Sequence, residues 1–156
     1  MKEFDNISEF IAHLSTLAEA EKAALQRGLQ ECAEAVEKTA KAEFDGSQSA
    51  AGPFPVWPAL APATLTKHQA NDEADDSPLS GSGVLRDSIS HQVHGLTASV
   101  GSNSAVMAYQ ELGTDKIPPR PVLGPSLVRN RKLIERTLGR AAAQGLLHGS
   151  GMTFGL

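Results

Sequence analysis

Proline sets the layout of this chain. Pro53, Pro55, Pro58 and Pro62 fall close together, and Pro118, Pro119 and Pro121 form a second cluster. Each removes a backbone donor and fixes φ at about −65°, so neither stretch forms a regular helix or an inner strand. The chain is thereby divided into a segment before residue 46, a block between the two clusters, and a segment from Gly124 onward. Phe54, Val56, Trp57 and Leu60 lie inside the first cluster, and such apolar side chains need cover. A connection as long as 46–83 within a compact domain is as a rule functional or disordered. It reads as an extended arm that orders on a neighbour, with an acidic run of Asp72, Glu73, Asp75 and Asp76 and then Ser80-Gly81-Ser82-Gly83.

Outside the prolines, periodicity predicts the elements. Residues 6–44 read as helix. Asn6 and Glu9 fit a capping box, and Ile7, Phe10, Ile11 and Leu14 follow at helical spacing. A second run places Leu25, Leu29, Cys32, Ala33, Val36 and Ala40 on one face. Leu17-Ala18-Glu19 leaves open one helix or two. Between 84 and 112 the period changes to two: Ile89, His91 and Val93, then Gly95, then Leu96, Ala98 and Val100. That alternation on both sides of a glycine predicts a hairpin. Val106 to Leu112 is expected as a third strand, with Tyr109 and Glu111 on one face and Val106, Ala108 and Leu112 on the other. A last helix is expected over 125–145, opened by Pro125 and ended by Gly145.

Composition narrows the function. With 14 basic and 18 acidic residues the net charge is −4, which disfavours a dedicated nucleic-acid binder because phosphate neutralisation needs a basic surplus. Arg129, Arg131, Lys132, Arg136 and Arg140 nevertheless give the last helix a basic face, better matched to an acidic protein neighbour such as the acidic arm of the next subunit. Cys32 is the single cysteine, so no internal disulfide is possible, and it reads as a small core residue. No metal or cofactor is expected: His91 and His94 point to opposite faces of a strand, and the acidic run lacks the alternation and glycine of a calcium loop. No catalytic constellation is visible. The polar, acidic start and the absence of a long apolar run predict synthesis in the cytoplasm and no membrane partner.

Five pieces stand in order: Trp57-Pro58-Ala59-Leu60-Ala61-Pro62-Ala63-Thr64-Leu65, Ser82-Gly83-Val84-Leu85-Arg86-Asp87-Ser88-Ile89, Ser99-Val100-Gly101-Ser102-Asn103, Ala108-Tyr109-Gln110-Glu111-Leu112-Gly113-Thr114, and Ile117-Pro118-Pro119-Arg120-Pro121-Val122-Leu123. The series, over about residues 54–140, resembles the virion-morphogenesis family of tailed phages and prophages, which includes tail-completion and head–tail joining proteins. Val84 stands where that family often has Arg, and Val122 where it often has an aromatic. The resemblance implies a structural protein of the virion, made in the host bacterial cytoplasm. It would join tail to head at the neck as a homo-oligomeric ring beside other neck or tail proteins, with genome DNA passing through without sequence-specific contact.

The expected fold class is α+β: an antiparallel sheet of three or more strands packed by N- and C-terminal helices, with a long Pro-rich arm. It would form one domain over 1–148 with a loose tail at 149–156. Candidate subunit-interface residues are Trp57 and Leu60 on the arm, Tyr109 and Glu111 on the third strand, Arg120 between two prolines, and Arg129 and Arg136 on the last helix. Arg120 is suited to a forked pair with Glu111. Two other classes remain open: a small nucleic-acid-binding module using the basic helix, and a hydrolase using His91 or His94 with a carboxylate.

Overall fold

The computed structural model describes residues 7–46, 48–62, 66, 79 and 83–150. The chain is α+β. Helix α1 (Ile7–Ala42) leads into a 3-10 turn (Glu43–Asp45) and the proline segment; α2 (Val84–Asp87), β1 (Ile89–His94), β2 (Thr97–Ser102), α3 (Ala105–Leu112) and α4 (Leu123–Ser150) follow. The residues gather into two compact units: 1–32, 93–98 and 132–156 form one, and 33–92 and 99–131 the other.

In the first unit the two long helices run antiparallel and meet through small side chains. Ala24, Gly28 and Cys32 lie at four-residue spacing on α1; Thr137, Ala141 and Gly145 do the same on α4, and all six are buried. A Cβ on Gly28 would stand 3.0 Å from that of Ala141, and one on Gly145 would stand 2.5 Å from the Glu21 backbone. Gly145 therefore lets the helices close, and α4 continues through it to Ser150 instead of ending there. The expected Leu25 and Leu29 are only half-buried, because the small residues take the seam. Burial pushes the Cys32 thiol pKa up, with the Glu31 charge adding to it, which fits a packing role.

The second unit holds the main core: Ala40, Phe44, Trp57, Ile89, Met107 and Val122, covered by Leu79, Leu85, Val100 and Leu123. The hairpin forms where the alternation predicts it, with Gly95 at φ 59° in its turn. The sheet is two-stranded, which corrects the expectation of three or more strands. The segment expected as the third strand is helix α3. Ala105, Met107, Ala108, Gln110, Glu111 and Leu112 are all good helix formers, and Gly113 stops the helix at φ 75°, its amide donating to the Tyr109 carbonyl at 2.9 Å. The last helix starts at Leu123, so Pro125 occupies its third position, where its missing N–H is still one of the unpaired first-turn donors.

The first half of the expected arm packs on its own unit. Ala51 and Phe54 exchange two backbone hydrogen bonds of 3.0 Å each around Gly52 and Pro53. The Phe54 ring lies where a Cβ on Gly124 would have to stand. Asn6, the acidic run at 72–76 and the tail from 151 lie outside the described residues. α1 is a single helix through Leu17-Ala18-Glu19.

Two glycines of α4 should respond oppositely to alanine. Gly145→Ala should lower stability by about 1–3 kcal/mol through overpacking. Gly139→Ala meets open space and should raise it by up to about 1 kcal/mol. Urea unfolding midpoints of the two variants check both signs.

Candidate functional site

Two of the polar residues singled out from the sequence, Glu111 and Arg120, lie at one junction of the second unit, where α3, the second proline cluster and the start of α4 meet. Glu111, near the end of α3, is its centre. Its carboxylate accepts from the backbone amides of Val122 at 2.7 Å, Leu123 at 3.1 Å and Gly124 at 2.9 Å. A helix start leaves such amides without partners and carries partial positive charge, so an acidic side chain from another element acts as its cap. Arg120 does not pair with Glu111. Its amide donates to the Gln110 carbonyl at 2.6 Å, and its guanidinium donates to the Pro58 and Ala59 carbonyls at 3.2 and 3.5 Å. Arg120 is 7% exposed, and that burial lowers its pKa. Arg120 thus binds the first proline cluster to the second.

Trp57 makes the same connection from the apolar side. Its indole N–H donates to the Pro121 carbonyl at 2.9 Å, and the ring is 6% exposed within the core. Trp57, expected to anchor a neighbouring subunit, is packed within the core of its own unit. Leu60 is half-buried beside it in sequence. Arg129 pairs with Glu43 and donates to the Ser49 carbonyl at 2.6 Å, so it holds the end of α1 to the proline segment. Arg136 is exposed and donates its Nε to the Lys132 carbonyl at 3.1 Å.

Tyr109 stands differently from the strand expectation. On helix α3, Met107, Gln110 and Glu111 turn inward, while Val106, Tyr109 and Leu112 line up at three-residue spacing on the outside. They are 49%, 53% and 79% exposed. Val106 and Leu112 were missed as surface residues because a two-residue period puts them on a buried face. The three-residue spacing carrying the alternative was present in the same letters.

The histidines form no metal cluster among the described residues. His91 Nδ1 bonds the Glu37 carboxylate, which also accepts from Lys41 at 2.5 Å. The Lys41 bond first, then His91, holds the Glu37 pKa below its ordinary value. A shallow groove of 280 Å³ runs along the hairpin beside His91, lined otherwise by Ser90, Gln92, Ser99, Val100, Gly101, Ser102 and Asn103. His91 is the one ionisable side chain in that lining. No helix of the described residues is long and apolar enough to cross a membrane.

A family model described as the phage virion morphogenesis family matches residues 5–142. No curated protein and no solved structure matches the chain.

Removing the cap should be costly. Glu111→Ala should destabilise the fold by about 2–3 kcal/mol, since charged hydrogen bonds to otherwise unpaired amides are lost. Glu111→Gln should cost roughly half as much, and chemical denaturation of both variants measures the difference. The depressed Glu37 pKa contributes stability above its ordinary value and loses it as pH falls through the folded-state value. The stability gap between wild type and Glu37→Gln should therefore narrow on acidification, read from urea midpoints across the acid range.

Proposed function

This chain belongs to the phage virion morphogenesis family, and we propose that it serves as a neck or tail-completion subunit, joining tail to head by assembling into a ring. The observation that carries the reading is the outer row of α3. Three apolar side chains, Val106, Tyr109 and Leu112, are exposed together on a helix whose other face is fixed by Met107 in the core and by the Glu111 cap. A rigid apolar row of this kind is suited to a subunit contact. A contact that uses different surfaces on the two partners closes into a ring when the rotation per subunit allows it.

Several features support a structural role. The ionisable groups of the junction are spent on backbone: Glu111 on three amides, Arg120 on two carbonyls. Such bonds stiffen a subunit. Of the interface candidates, Tyr109 on α3 and Arg129 and Arg136 on α4 are exposed. In this reading the protein is made in the host bacterial cytoplasm and carried into the virion. It sits beside other neck or tail proteins, and genome DNA passes the ring without sequence-specific contact.

Two measurements test the proposal. In lysates of a phage lacking this chain, electron microscopy should show filled heads and full-length tails that remain separate, and purified protein should join them. Joined, infectious particles in its absence, or a failure to form heads, would contradict the assignment. Leu112→Glu should leave the melting temperature within a few degrees, because surface changes usually cost less than about 0.5 kcal/mol, yet it should abolish the oligomer seen by light scattering. An unchanged oligomer would remove α3 from the interface.

A further inference from the structure

Lys132, Arg136 and Arg140 recur at four-residue spacing on α4 and are all exposed. At about 100° per residue they share one flank of the helix, about 100° round from the row of the buried Thr137, Ala141 and Gly145. None of the three pairs with a carboxylate among the described residues; the one bond of the group runs from Arg136 to the backbone carbonyl of Lys132. Isolated surface cations are ordinary. A row of three without counter-charge, on a helix with one acidic residue, Glu135, is a concentrated positive stripe.

A glycine lies inside that stripe. Gly139 sits between Arg136 and Arg140, is exposed, and a Cβ there would meet nothing within 4 Å. Glycine in a helix interior costs about 1 kcal/mol relative to alanine. Gly28 and Gly145 are explained by close helix packing, but no neighbour among the described residues accounts for Gly139. A bare spot flanked by arginines lets another backbone approach closely while its acidic groups meet the cations.

We propose that the Lys132–Arg136–Arg140 face of α4 docks the acidic segment Asp72–Asp76 of a second copy of this chain. The inference rests on the ring reading and supplies a contact for it. Asp72, Glu73, Asp75 and Asp76 place four carboxylates in five positions. From Lys132 to Arg140 the helix rises about 12 Å, and a five-residue segment drawn out reaches about 13 Å. Charge and length therefore match. Duplex DNA, the other polyanion at hand, is disfavoured by the net charge of −4.

A charge-swap experiment on the full chain tests this. One variant carries Lys132→Glu, Arg136→Glu and Arg140→Glu; the other carries Asp72→Lys, Glu73→Lys, Asp75→Lys and Asp76→Lys. Circular dichroism melts establish that both fold. Each alone should assemble at least about tenfold more weakly than wild type in low salt. An equimolar mixture should recover assembly at wild-type strength, because every contact between the two variants in alternation is again between opposite charges. Failure of the mixture to recover overturns pairing between copies. Wild-type assembly by both variants alone overturns the contact but leaves the ring reading standing, whereas a wild type that never assembles removes the ring itself. Salt-sensitive binding of duplex DNA, lost only in the first variant while its assembly is unchanged, would reassign the stripe to nucleic acid and overturn the proposal.

Discussion

The Glu111 carboxylate, shared among the amides of Val122, Leu123 and Gly124, is the interaction on which the second unit depends. It joins the end of α3 to the start of α4 and fixes where the longer helix begins. The first amides of α4 have no acceptor within the helix, and the Glu111 carboxylate supplies one from another element. With that turn held, the Pro121 carbonyl is placed to accept from Trp57, and Arg120 to reach the Pro58 and Ala59 carbonyls. Two proline segments that cannot pair as strands are thus joined by side chains. The apolar face of the same junction, Trp57, Met107 and Val122, closes the core.

The first unit is held by another means. Small residues at four-residue spacing on α1 and α4 bring two backbones close, and contact area replaces bulky side chains. Close packing of this kind is intolerant of added volume. It suits a chain whose aromatic content is 4%. It also leaves Ile7, Ile11 and Leu14, on the first turns of α1, exposed, so apolar surface is not confined to α3.

Much of this was legible in the letters. The long first helix, the Gly95 hairpin, the final helix and the family all follow from period, glycine and the ordered motifs. The third strand was not legible, because Val106 to Leu112 fits a two-residue and a three-residue period equally, and the stop at Gly113 serves both. The burial of Trp57 was not legible for a related reason. A tryptophan among prolines looks stranded from any core, and only the return of Pro121 and Val122 in space covers it. Glu111 and Arg120 do not pair within the chain because both groups find backbone partners. The proline clusters leave carbonyls without partners and the start of α4 leaves amides without them, and a charged side chain satisfies those before it meets its opposite.

The capped junction and the exposed row of α3 support the proposed account of a subunit that assembles through its surface. The mass of the purified protein in solution, followed by light scattering across a concentration series, tests this most directly. The account predicts one discrete closed oligomer whose mass stays constant once formed. A strict monomer at every concentration would contradict self-assembly into a ring.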